Sequence, residues 1–306
     1  MPPETANPSL GWNVARDVGE LLEYHFMVNA LLAGTIVAVM AGLVGWLMVL
    51  RHEAFAGHTL STMAFPGASG ASLAGIPAAW GYFLFCGAGA LAIGRVTGGR
   101  RPALREQSAA IGAVQAGALA LGFLFVSLYG GILGSLESLL FGDILAISDG
   151  QLLALGAIAV AVLAALGLIA RPLLFASVDP EVARARGVPV RGLSAGFLVL
   201  LGVAVAATSQ ITGPLLVFAL LVAPPATAQL LTARPALSLL LTVLIGEAIV
   251  WLGMGISYFS VYPAGFFIAA IAFAVYLLAR ALLGLRATAS RLSSQSTPPA
   301  LAEPLA

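Results

Sequence analysis

The stretch MVNALLAGTIVAVMAGLVGWLMVL (Met27 to Leu50) contains no charged residue. It exceeds the roughly 20 residues that a bilayer-spanning helix requires. Apolar runs of this kind recur along the chain, giving candidate spans at about 27–50, 55–76, 78–94, 108–128, 151–170, 193–208, 212–231, 236–256 and 262–285. Of 306 residues, 60% are hydrophobic and 9% charged, and the mean hydropathy is +1.02. A soluble domain of this size carries far more charge on its surface. The chain is therefore expected to be an all-α polytopic membrane protein with about eight or nine transmembrane helices. Burial in such a protein means burial in lipid or between helices.

Composition also excludes several functions. A net charge of +1 offers no electrostatic case for a nucleic-acid partner. The single cysteine, Cys86, cannot form an internal disulfide. The first 25 residues lack the basic, apolar and small-residue regions of a cleaved signal peptide, so none is expected. The Ser-, Pro- and Ala-rich end (286–306) reads as a disordered tail.

The charges set an orientation. There is no lysine, and the arginines cluster. With Arg51 inside and the nine spans alternating, Arg95, Arg100, Arg101, Arg105, Arg171, Arg184, Arg186, Arg191, Arg234, Arg280, Arg286 and Arg291 all fall on the cytoplasmic face. Only Arg16 falls outside, as the positive-inside rule requires. The N-terminus (1–26) is then extracytoplasmic, residues 27–285 form the transmembrane domain, and the C-terminal tail is cytoplasmic.

Two connections are informative. In RPLLFASVDPEVARARGVPVR (Arg171 to Arg191), Asp179 suits an N-cap, Pro180 the first helical position and Glu181 the positive helix end. Arg184 and Arg186 lie in the last turn, and Gly187 suits the residue after the cap. A short capped helix outside the membrane is expected, either as a functional element or as a plain connector. The outer segment from Tyr129 to Gln151 holds Glu137, Asp143 and Asp149 among leucines and glycines. It is too apolar for a hydrated loop and suits a re-entrant or interfacial element.

Five segments, MVLRHEAFAGHTLSTMAFPG, LLFGDILAIS, VDPEVARARGVPVR, GPLLVFALLVAPPATAQLL and ISYFSVYPAGFFIAA, follow the order and spacing of one family. Together they resemble the permease subunit of the ABC-3 family, the ABC importers of zinc, manganese or iron. The resemblance implies a type II ABC importer-like permease in a bacterial plasma (inner) membrane. It implies a second copy of the chain, cytoplasmic ABC ATPase subunits and an extracytoplasmic metal-binding protein as partners. The chain lacks a Walker A loop, which needs a lysine, so ATP and Mg belong to the ATPase and this chain binds no cofactor of its own. By the same resemblance, the segment about 179–187 is the coupling helix. Asp179, Pro180, Glu181, Val182, Arg184, Arg186 and Gly187 would meet the ATPase.

The family pattern on the second span resembles Phe-x-Gly-Asp-x-x-Ser-His-Ala, an acid and a histidine four residues apart on one helix face. Here His58 stands in place of the acid, Ser61 is kept, and Thr62 stands in place of the histidine. Two copies of His58 meeting across a dimer axis would favour zinc over manganese, which prefers oxygen-rich sites. Alternatively, His58 hydrogen-bonds a carbonyl near its helix end. Glu247, an acid at mid-span depth, is a candidate by position; it would supply the missing carboxylate, or pair with Gln229 or a hydroxyl. His25, with Glu20 and Glu23 before the first span, would receive a cation or simply sit at the interface. Pro66, Gly67 and Gly70 predict a bent helix packed closely on a neighbour.

The expectation is thus the permease subunit of an ATP-driven importer, not an enzyme. Its cargo would be a divalent transition metal, zinc first and manganese or iron next. Rival readings are a metal chelate or other small solute as cargo, and an ATP-independent carrier or channel.

Overall fold

The computed structural model describes residue 19 and residues 22–97, 104–129, 142, 144–260 and 262–295. The elements are α1 (His25–Leu50), α2 (Ala54–Ala74), α3 (Ala78–Thr97), α4 (Leu104–Tyr129), a 3-10 turn (Ile144–Ala146), α5 (Asp149–Val178), α6 (Pro180–Ala185), α7 (Val190–Leu231), α8 (Pro235–Tyr258) and α9 (Ala264–Gln295). Among the described residues, seven helical stretches are long and apolar enough to cross a membrane. Leu216–Leu231, within α7, is a shorter apolar helix. α2 carries the His, Ser and Thr residues that lower its apolarity. Each of the nine expected runs coincides with a helical stretch, most with ends that differ by a few residues.

The most buried of the spanning helices, α1, is the axis of the bundle. Met27, Val37, Met40, Val44 and Met48 are buried along it, and it packs on α5, α7 and α8. α1 and α8 run antiparallel. Trp46 Nε1 donates to Ser238 Oγ at 2.9 Å near one end, and Thr35 Oγ1 donates to Glu247 Oε2 at 3.1 Å further along. α2 packs instead on α3, α4 and α7 and touches α1 only slightly. At the crossing of α2 and α3 the backbones of Gly67 and Gly81 meet so closely that a Cβ on either would strike the other's carbonyl. This is small-residue packing, and it bears out the close packing expected of the Pro66–Gly67 segment; Pro66 itself is tolerated inside α2.

α7 spans 42 residues but is not one rod. Gly213 sits at φ 73°, ψ 157°, outside helical space and reserved in practice for glycine. Arg51 Nη2 donates to Ser194 Oγ at 2.9 Å, and Gln229 Nε2 donates to the Trp46 carbonyl at 2.8 Å. Both ends of α7 therefore stand beside the same end of α1, and the break at Gly213 folds the element back into two arms. The turn rests on Gly142, itself at φ 68°, where a Cβ would run into the backbone of Ile211, Thr212 and Gly213. Two of the sequence segments quoted above thus meet at their glycines.

Two helices outrun their expected ends. α5 continues past residue 170 to Val178. Its 30 residues span about 45 Å at 1.5 Å each, against a hydrocarbon core about 30 Å thick. The length exceeds what one span needs, and α6 follows directly after it. α9 continues past Leu285 to Gln295, where a disordered tail was expected from residue 286. Propagating an existing helix through Ala, Arg and Leu costs little. Residues 296–306 lie outside the described residues.

Candidate functional site

His58 lies on the second turn of α2. Its ring meets Phe218 on the second arm of α7 edge-on, with centroids 4.7 Å apart. Nδ1 is buried and has no hydrogen-bond partner among the described residues, so the carbonyl-bonding alternative for that nitrogen is not what the side chain adopts. The two hydroxyls beside it turn back on their own helix. Ser61 Oγ donates to the His58 carbonyl at 2.9 Å, and Thr62 Oγ1 donates to the Thr59 carbonyl at 2.8 Å. Each hydroxyl keeps lone pairs for accepting, but neither is a strong ligand. Thr59, one position on, donates to Gln115 Oε1 of α4 at 3.1 Å. An imidazole with an uncommitted nitrogen is a competent cation ligand. Among the described residues no three His, Cys, Asp or Glu side chains group to hold a metal.

Glu247 is held elsewhere. Its Oε2 accepts from Thr35 Oγ1 of α1 at 3.1 Å, and Thr35 Oγ1 in turn accepts from Trp251 Nε1 at 3.0 Å. Oε1 is buried without a partner among the described residues. The expected partnership with a hydroxyl is present, while Gln229 is engaged by Trp46 instead. α8 packs on α1, α7 and α9, whereas α2 packs on α3, α4 and α7. The structure therefore does not assemble His58 and Glu247 into one ligand set. A hydrogen-bonding role predicts that Glu247→Gln keeps metal uptake within about twofold. Glu247→Ala should lower stability by about 1–3 kcal/mol, because the Thr35 hydroxyl loses its acceptor. Thermal unfolding in detergent and uptake by vesicles check the pair.

At the opposite end of α1, Asn29 Nδ2 donates to Asp149 Oδ1 at 2.6 Å, and His25 Nε2 lies 3.0 Å from the same oxygen. The His25 and Asp149 side chains are 77% and 71% exposed, which makes this a solvated helix-end clasp. Ile144 and Ile147 just before it are buried and the 3-10 turn packs on α1, in keeping with a segment that dips into the bundle. Glu20, Glu137 and Asp143 lie outside the described residues.

The short helix α6 forms with the caps read from sequence. Asp179 Oδ1 accepts from the N–H groups of Glu181 (3.1 Å) and Val182 (3.0 Å), and Pro180 begins the helix. At the other end the Val188 N–H donates to the Ala183 carbonyl at 3.0 Å and the Gly187 N–H to the Arg184 carbonyl at 2.9 Å. With Gly187 at φ 81°, this is a complete Schellman motif. Ala183 is fully buried, and Glu181, Val182, Arg184 and Arg186 are exposed. The helix presents two arginines and a valine outward from a rigid, doubly capped frame.

One cluster near α6 was not legible as a site. Arg51, read from sequence only as a marker of sidedness, donates through Nη2 to Glu53 Oε1 at 2.8 Å and through Nε at 3.1 Å. It also donates to Ser177 Oγ at 3.0 Å and to Ser194 Oγ at 2.9 Å, and its guanidinium lies 5.4 Å from the Phe197 ring centroid. Burial pushes the Glu53 carboxyl above the usual carboxylate range, and the Arg51 charge opposes that rise. The available signal was an acid two residues from an arginine between two apolar runs.

Apolar helices around a buried axis, one of them broken at a glycine, with a short capped helix between two of them, describe a multi-span membrane protein. The model of the ABC 3 transport family matches residues 23–282, and the chain belongs to that family. It is a transport subunit, not an enzyme, with ATP hydrolysis on a separate subunit. The manganese transport system membrane protein MntC of Halalkalibacterium halodurans is 35% identical over 242 residues, 79% of this chain and 81% of that one. A probable iron transport system membrane protein of Haemophilus influenzae is 33% identical over 217 residues, 70% of this chain and 77% of that one. Among solved structures, PsaBC from Streptococcus pneumoniae in complex with Fab superposes with a TM-score of 0.75 at 28% identity, covering 87% of this chain and 95% of that one.

Proposed function

We propose that this chain is the permease of an ATP-driven importer of a divalent transition metal, with manganese as its first cargo. Two copies would form the pathway in a bacterial plasma membrane, with the N-terminus outside and the C-terminus in the cytoplasm. An extracytoplasmic binding protein would deliver the metal, and α6 would dock on a cytoplasmic ATPase. The observation that carries this reading is α6, a doubly capped helix with outward charge in a chain of the ABC 3 transport family. Such a helix suits ATP-driven transport better than an independent carrier. Manganese is favoured by what the relatives' names record, with iron next.

Zinc is the second reading, and His58 favours it. An imidazole in place of an acid on the pathway helix, repeated in a second copy, suits zinc better than manganese. Uptake by the complex in vesicles, with manganese, iron and zinc compared, tests both. His58→Ala is expected to lower uptake by about tenfold or more, the scale of losses at metal-site residues. Unchanged uptake in that variant removes His58 from the pathway. Uptake of a metal chelate but of no free ion would move the cargo to the chelate.

A further inference from the structure

We propose that Arg51 is the positioning residue that makes α2, the helix carrying His58, move with the coupling helix. The inference rests on the proposed function of α6. Its geometry is independent of the cargo.

The chain places Arg51 one residue after α1, and its side chain is 9% exposed. From there a single guanidinium reaches both shoulders of α6. Ser177, bonded at 3.0 Å, lies two residues before the N-cap Asp179. Ser194, bonded at 2.9 Å, lies at the start of the second turn of α7, the helix that follows α6. The same guanidinium grips Glu53 through two of its nitrogens, and Glu53 is the N-cap residue of α2. Glu53 is also mostly buried, its side chain 16% exposed.

Buried charges of this kind cannot part cheaply, because separation leaves each without solvent or partner. The planar fork of arginine fixes the directions of its donors, which an ammonium does not. α1 and α2 barely pack on each other, so the apolar contacts that lock other helix pairs are missing here. A tilt of α6 against an ATPase would carry Ser177 and Ser194 with it, and Arg51 would pass that displacement to Glu53. The start of α2, five residues before His58, would follow.

The test uses the complex of this chain with its ATPase, reconstituted in vesicles. The double variant Ser177→Ala/Ser194→Ala cuts the ties to α6 and leaves the Arg51–Glu53 pair in place. A fluorophore at Phe55→Cys, an exposed position at the start of α2, reports movement there when ATP is added. The wild-type complex should show an ATP-dependent signal. The double variant should hydrolyse ATP at a similar rate yet lose most of that signal, with manganese taken up per ATP falling about tenfold, within the range of mutations along coupling networks. Arg51→Lys should do the same, and where it fails to assemble, the serine variant alone decides. An unchanged signal and an unchanged uptake ratio in the double variant overturn the inference, as does the absence of any ATP-dependent signal in wild type. A normal signal without manganese uptake overturns the manganese reading and leaves the role of Arg51 standing.

Discussion

Replacing Gly213 by valine is expected to leave little folded protein in the membrane. The residue holds φ 73°, ψ 157°, a region that a β-branched side chain essentially never occupies. Backbone strain of about 1–3 kcal/mol adds to about 1–3 kcal/mol for forcing atoms into a close-packed turn. Gly142→Ala should act in the same direction from the other side, since its new Cβ would press on the backbone of residues 211–213. The loss falls on the point where α7 reverses, so the arm that carries Phe218 and Gln229 would lose its place beside α1 and α2. Membrane abundance and the apparent melting temperature in detergent measure the effect. A Gly213→Val protein with wild-type abundance and melting would show that the two arms do not depend on this turn.

Arg184→Glu is expected to leave the fold intact and break coupling. Arg184 is exposed in the last turn of α6, where an acid in place of a base costs about 0.3–1 kcal/mol against the helix dipole. The caps at Asp179 and Gly187 do not involve its side chain. Against an ATPase surface that has met a positive charge, reversal places like charges together, which costs several kcal/mol. Recovery of the ATPase with this chain should fall at least about tenfold, and uptake should fall with it. The same variant should be extracted and unfold like wild type. Wild-type recovery of the ATPase and wild-type uptake would mean that α6 is only a connector.

These two cases also mark what the sequence revealed and what it hid. The spans were legible because apolar length is a local property, and α6 was legible because Asp179, Pro180 and Gly187 are local signals at fixed offsets. The break in α7 was half legible. Two apolar runs were distinguishable, but the return of the second arm to the Trp46 end depends on Gly213 meeting Gly142, a contact across many residues. The length of α5 was underestimated because Arg171 reads as the end of a span, whereas a helix leaving the bilayer tolerates a charge. α9 ran past its expected end for a similar reason, since polar residues end apolarity without ending a helix.

The candidate site was less legible. Depth along a span can be counted from sequence, but the side of the bundle cannot. His58 and Glu247 were therefore weighed as possible co-ligands, although one faces Phe218 and the other Thr35. Arg51 escaped notice for the opposite reason. Its partners Ser177 and Ser194 are ordinary serines, far away in the chain, that only the fold brings to one guanidinium.

The most direct test of metal import is uptake by the reconstituted complex of this permease with its ATPase and binding protein, with manganese, iron and zinc supplied separately with and without ATP. ATP-dependent accumulation of manganese above the other two ions is the expected result. Failure to accumulate any of the three divalent ions, in a complex that hydrolyses ATP, would contradict it.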